Sequence, residues 1–159
     1  MVLALTLIVD SNILFASVIK DGVNAKLILS DRLHLIAPEK LFEEFERNRA
    51  VLVKRTHRSV EEFEKFLNVL EERIEVIPKS EFKPWLKEAK KKSPANDFPF
   101  TALAKAYGCS VWSNDKELKE SMKKTGFAEV LNTDEVLQKL GFEVDPTTEK
   151  LKPVPLLLY

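Results

Sequence analysis

Leu3-Ala4-Leu5-Thr6-Leu7-Ile8-Val9-Asp10-Ser11-Asn12 is the stretch that decides how this chain folds. From Leu3 to Val9 almost every side chain is apolar and strand-forming, without the alternation of a half-exposed strand. Such a run suits a strand covered on both faces, the habit of parallel sheets. No basic segment precedes it and no small-residue cleavage pattern follows. It is also too short to span a bilayer, so it reads as a buried strand and not as a leader or anchor. The run stops at an acid, Asp10.

Working outward, the chain alternates strand and helix signals. Residues 12–18 read as a short helix, Asp21-Gly22 as a turn, and 25–29 as a second helical piece. Residues 33–37 make another strand, and Pro38 stands where helices accept proline, with a helix expected over 39–49. Ser59 and Glu62 form a capping-box pattern, followed by Phe63, Phe66, Leu67, Leu70 and Ile74 at helical spacing. A third strand is expected over 75–77, stopped by Pro78, and a helix over 85–92, ended by Ser93-Pro94. A helix over 101–107 stops at Gly108. Then come a strand over 109–113, a helix over 116–123, a strand over 128–131 and a helix over 133–140 before Gly141. This order implies right-handed βαβ crossovers: an α/β fold of three αβα layers around a mainly parallel five-stranded sheet. The expected division is one domain over 1–142 and an extended, proline-bearing arm over 143–159.

Bulk properties narrow the function. The 159 residues suffice for one packed domain, and 45% of them are hydrophobic. Lys plus Arg and Asp plus Glu balance at 25 each, which argues against a basic nucleic-acid coat protein while leaving room for separate charged patches. Cys109 is the single cysteine, so an internal disulfide and a cysteine zinc site are excluded, and a reducing, cytoplasmic location is expected. His34 and His57 are too isolated to form a zinc pair. Gly22, Gly108, Gly126 and Gly141 are scattered, with no glycine-rich phosphate loop. Nucleoside-triphosphate and dinucleotide chemistry are therefore disfavoured.

The acids carry the functional signal. Ligands of open α/β sheets collect beyond the carboxyl ends of the strands. Asp10 directly follows the first strand, Asp97 precedes the helix leading to Gly108, and Asp115 follows the fourth strand. Glu44 is a fourth candidate: its helix buries Leu41 and Phe45, and its side chain leans back toward the helix start. Glu43 competes with it. Any one of the three aspartates is economically read as a helix cap. Four acids gathered by one topology are harder to explain so, since two carboxylates about 5 Å apart repel by roughly 3 kcal/mol at an effective dielectric near 20. A fold that gathers them calls for a cation or raised pKa values. An all-oxygen site selects Mg²⁺ or Mn²⁺.

Several segments together resemble the PIN-domain nucleases. They are Ile8-Val9-Asp10-Ser11-Asn12, Ala37-Pro38 leading to Glu43-Glu44-Phe45, Asn96-Asp97-Phe98-Pro99-Phe100-Thr101-Ala102-Leu103-Ala104, and Val111-Trp112-Ser113-Asn114-Asp115-Lys116. The resemblance spans roughly the first 140 residues, and it looks like the branch holding toxins of toxin–antitoxin pairs and stand-alone archaeal nucleases. It implies a metal-dependent endoribonuclease whose catalytic and metal-binding quartet is Asp10, Glu44, Asp97 and Asp115. Asn12 and Ser113 match positions that support the site by hydrogen bonding. It further implies RNA as substrate and an antitoxin protein as partner. A homodimer is expected and a membrane is not.

Two basic stretches are candidate phosphate grips: Arg47, Arg49, Lys54, Arg55 and Arg58, and Lys87, Lys90, Lys91 and Lys92. Either also fits a solvated helix face. Trp85 and Trp112 are candidates for base stacking, although Trp112 lies in a strand and suits the core. Two other functions compete. A haloacid-dehalogenase-like phosphatase also places Asp after the first strand, but needs a second Asp where Asn12 stands. A catalytically silent binding module would have no reason to keep mutually repelling acids. The apolar end, 153–159, is expected to dock on a second subunit or an inhibitory partner.

Overall fold

The first strand is the hub of the sheet. In the computed structural model, which describes residues 4–144 and 151–153, β1 (Leu5–Val9) pairs in parallel on both sides. A short helix α1 (Ser11–Ile19) leaves its end, and α2 (Val23–Ile28) leads to β2 (Leu33–Pro38). The chain continues through α3 (Lys40–Arg55) and α4 (Val60–Arg73) into β3 (Ile74–Ile77). Two single 3-10 turns, Lys79–Glu81 and Lys83–Trp85, precede α5 (Leu86–Lys92) and α6 (Phe98–Tyr107). Next come β4 (Ser110–Trp112), α7 (Lys116–Thr125), β5 (Val130–Leu131) and α8 (Thr133–Lys139). The five strands lie in the order β3-β2-β1-β4-β5, and each pairing is parallel. Beyond them β6 (Phe142–Val144) and β7 (Leu151–Pro153) form an antiparallel ribbon.

The three-layer αβα architecture expected from the sequence is the one observed. Helices α1 to α4 pack among themselves, and α5 packs on α6 and α7. Right-handed crossovers require this split, because strand order runs one way from β1 to β3 and the other way from β4 to β5. The apolar run of β1 is the core's axis: Leu7, Ile8 and Val9 are buried, as are Leu35, Ile36 and Ala37 of β2 and Val111 and Trp112 of β4. On the α1–α4 side Phe45 contacts both Phe15 and Phe63, with ring centroids 6.4 and 6.1 Å apart. The Ser59–Glu62 capping box forms in both directions and starts α4 as its sequence pattern dictates.

Several boundaries differ from the sequence expectation, and three of them have a clear local reason. Helix α3 runs to Arg55, not 49, because nothing between Arg49 and Arg55 breaks a helix and Leu52 adds a buried contact. Helix α6 begins at Phe98, with Pro99 inside its first turn where the missing N–H costs nothing. The helix expected over 85–92 is reached through the two 3-10 turns, since Phe82 closes the first and opens the second, whose start accepts Pro84.

The parallel order reverses between β1 and β4, and that switch point is where a crevice opens beyond the strand ends. Val9 is level with Trp112, and Ile8 with Ile36. The next residue on each strand, Asp10 and Ser113, therefore leaves the sheet side by side.

Candidate active site

Asp10 is fixed by backbone register before any side chain acts. Its N–H donates to the Trp112 carbonyl at 3.1 Å, extending the β1–β4 ladder by one residue. Its carboxylate caps α1 by accepting from Ser11 N at 2.8 Å through Oδ1. Oδ2 accepts from Ser113 Oγ at 2.6 Å and Asn12 Nδ2 at 3.2 Å. Asn12 also donates to Ser113 Oγ at 3.0 Å, so the two supporting residues join into one cradle. Asp10 is only 5% exposed. Burial raises its pKa, the Ser113 and Ser11 hydrogen bonds oppose the rise, and the nearby Glu44 and Asp115 charges add to it.

Asp115 and Asp97 arrive from the β4 side and from helix α6. Asp115 caps α7, with Oδ1 accepting from Glu117 N and Leu118 N at 3.0 and 3.2 Å, and its N–H donates to Ser113 Oγ at 3.1 Å. Asp10 and Asp115 are therefore both helix caps, and both also stand at strand ends beside the switch point. One carboxylate oxygen caps the helix while the residue stays at the strand end. Asp97 is different. It precedes α6 but makes no side-chain cap bond, and its half-buried carboxylate accepts no hydrogen bond from any described residue. Its pKa is pushed up to about 7, first by burial and then by the charges of Asp10 and Asp115; Lys40 works against the rise and Glu44 with it.

Glu44 rather than Glu43 faces this group. Ser11 Oγ donates to Glu44 Oε2 at 2.5 Å, and Lys40 Nζ stands 3.6 Å from Oε1, one helical turn earlier. Glu43 is solvent-exposed on the next face of α3. Leu41 and Phe45, both fully buried, set that choice by orienting the helix. The four acids thus act on one another electrostatically, with Asp10 central.

Two contributors escaped the sequence reading. Ser11 orients Glu44, and Lys40 donates to the Asn96 carbonyl beside Asp97 while pairing with Glu44. Adjacency to Asp10 and the i, i+4 step to Glu44 were the signals for them. A polar latch lies behind the site. Thr133 Oγ1 accepts from Trp112 Nε1 at 3.1 Å and Asn114 Nδ2 at 2.9 Å and donates to Asn24 Oδ1 at 2.6 Å. Trp112 is fully buried, which removes it from base stacking.

The basic stretches divide. Arg58 donates to the carbonyls of Ser17 and Val18 and covers the Phe66 ring at 4.1 Å. Arg49 pairs with Glu46 and Glu64. Both serve structure, not phosphate. Lys92 pairs with Glu88 at 2.8 Å. His34 stands 3.4 Å from Glu75 on the surface, away from any metal cluster. Burial raises the half-buried Cys109 thiol to about 11, which leaves it unreactive near neutrality.

Among the described residues no three His, Cys, Asp or Glu side chains are placed so that they could hold a metal ion as they stand. The chemistry of the four acids is nonetheless of the kind a hard divalent cation takes. The set is all oxygen, it is acidic, and its one acid without hydrogen bonds, Asp97, is surrounded by like charge.

A PIN domain family model matches residues 8–144. The chain belongs to the PIN-domain family. The match covers all four acids of this PIN domain. Among solved structures, a chain of "VapBC2 from Rickettsia felis bound to a DNA fragment from their promoter" is similar at 14% identity and a TM-score of 0.57. It covers 80% of this chain and 98% of that one, which supports the PIN fold and no more. No curated protein matches. Among the described residues, no helix is long and apolar enough to cross a membrane.

Proposed function

We propose that this PIN domain is a divalent-metal-dependent endoribonuclease, hydrolysing phosphodiester bonds of single-stranded RNA through Asp10, Glu44, Asp97 and Asp115. The observation that carries this reading is Asp97. It is a half-buried acid without a hydrogen-bond donor, held at a pKa of about 7 among three other carboxylates. Such an arrangement costs stability unless something positive or a proton enters it.

All four acids would hold the cation, with Glu44 fixed in place through Ser11. A bound Mg²⁺ or Mn²⁺ supplies neutralisation of phosphoryl charge and a more acidic bound water. The chain's own residues do the rest. Ser113 and Asn12 immobilise Asp10, so its carboxylate does not rotate away when the site fills. Lys40 offsets part of the acid charge and lets an anionic backbone approach. Asp97 would lose its proton as the cation enters and would serve as a ligand.

We propose further that it is a toxin working with an antitoxin partner, a reading supported by the sequence resemblance and by the likeness to a VapBC2 chain; a cytoplasmic location and a homodimer are part of the same proposal. We assign the nuclease to 1–142 and an arm to 143–159. Residues 154–159, most of the segment expected to dock on a partner, lie outside the described residues.

The test is cleavage of a labelled single-stranded RNA with Mn²⁺. Activity should vanish on chelation and return with added metal. Asp10→Asn should lower the rate at least about a hundredfold while circular dichroism stays unchanged. Chelator-resistant cutting, or a fully active Asp10→Asn protein, removes the proposal.

A further inference from the structure

Beside the acids, on the β2–β3 side, the carboxyl edge of the sheet opens into a cleft of ≈ 330 Å³. That volume falls in the range of small-ligand sites, about 300–1,000 Å³. Lys40, Arg47 and Lys79 bring positive charge to it, and Phe82, Leu86 and Phe98 give it an apolar wall. Lys40 belongs to both places, because it lines the cleft and pairs with Glu44. Phe98 directly follows Asp97 and carries Lys40 and Lys90 over its ring at 5.6 and 5.8 Å.

Two features separate this cleft from an ordinary solvated surface. The side chains of Arg47 and Lys79 make no ion pair or hydrogen bond with any described residue, whereas Arg49 and Arg58, from the same basic stretch as Arg47, are fully engaged. Glu39 and Glu43 stand on the same rim, equally without side-chain partners. Cations alone would suit a bare anion. Cations, acceptors and an apolar wall together suit a nucleotide, whose phosphate, base amine and ring face need one of each.

We propose that this cleft is a nucleotide subsite, receiving the base and phosphate that flank the scissile bond of a single-stranded RNA. It rests on the nuclease reading above and extends it to substrate positioning. Arg47 and Lys79 hold the flanking phosphate, the Phe98–Leu86 wall covers the base, and Glu43 accepts from its exocyclic amine. The opposite flank, past β4 and β5, carries a second polar hollow with Lys116 and Lys119. A strand crossing the sheet edge from one to the other passes over the acids.

The test uses the full chain. Arg47→Ala/Lys79→Ala should raise KM for RNA about tenfold, with kcat within twofold of wild type. It should also flatten the log affinity–log salt slope by about 0.7, the value for one single-strand phosphate contact. In wild type, a scan of single abasic positions should show one flanking site with at least a fivefold loss of kcat/KM. RNA affinity of Asp10→Asn, with and without the cleft changes, reads the subsite independently of cutting. If no RNA is cut but the cleft changes still weaken RNA binding, the subsite stands and the nuclease reading falls. An unchanged KM and salt slope, a flat abasic scan, or loss only of binding to a purified protein partner overturns the subsite.

Discussion

Asp97 sets the chain's response to pH, and the sign follows from the direction of its shift. Its pKa is raised to about 7 in the fold, against about 3.9 in an unfolded chain. Between those values the folded state binds the extra proton, so stability is greatest at the acid end and falls as pH rises from 4 to 7. The half-solvated position reduces the effect to about 2 kcal/mol. Thermal melts in chelator should show a lower Tm at pH 7.5 than at pH 5 from this group. Mg²⁺ should recover the loss at pH 7.5 and have little effect at pH 5. A flat difference between the two conditions would contradict the crowding described for Asp97. Asp97→Asn should reduce the pH-dependent part to what Asp10 contributes, while also removing metal-supported cleavage. Arg58 makes the contrasting case. Arg58→Ala should cost about 2 kcal/mol in urea denaturation, because two buried carbonyls and the Phe66 ring lose their cover. It should leave RNA affinity unchanged.

At the level of elements, legibility followed physical locality. The capping box at Ser59 is complete within four consecutive residues, so sequence alone located the start of α4. The unbroken apolar run into Asp10 likewise announced a central parallel strand. Ser59→Ala should therefore destabilise the fold by about 1 kcal/mol, read as a shifted denaturation midpoint with an unaltered slope. The start of α6 was legible only in part, since Phe98-Pro99 fits equally well in a loop until its packing is known. Glu43 and Glu44 were separable only through the rotation of α3, which Leu41 and Phe45 set by contacts far along the chain. The division of the basic residues was invisible for the same reason. Whether an arginine meets phosphate or a backbone carbonyl depends on which helix end it faces.

For the molecule as a whole, the acid group is a product of topology. Strand order β3-β2-β1-β4-β5 puts the reversal of direction in this sheet between β1 and β4, and the register there delivers Asp10 and Ser113 to one spot. The proposed antitoxin and homodimer belong to this scale. Light scattering of the isolated chain at micromolar concentration should report about twice the monomer mass. Where a short, charged open reading frame abuts the gene, co-expression with it should yield a stoichiometric complex with suppressed cleavage; a monodisperse monomer would remove the homodimer.

The Ser113–Asp10 hydrogen bond joins residues 103 positions apart, and this has a bearing on how the protein is made. Local pieces such as α4 are able to form while the polypeptide is still emerging from the ribosome. The cradle around Asp10 is not, because Ser113 is made 103 positions later. A nascent chain therefore carries Asp10 without its cradle until Ser113 has emerged and β4 has paired with β1. Under the proposed function, cleavage would begin only after that pairing, long after Asp10 itself has been made.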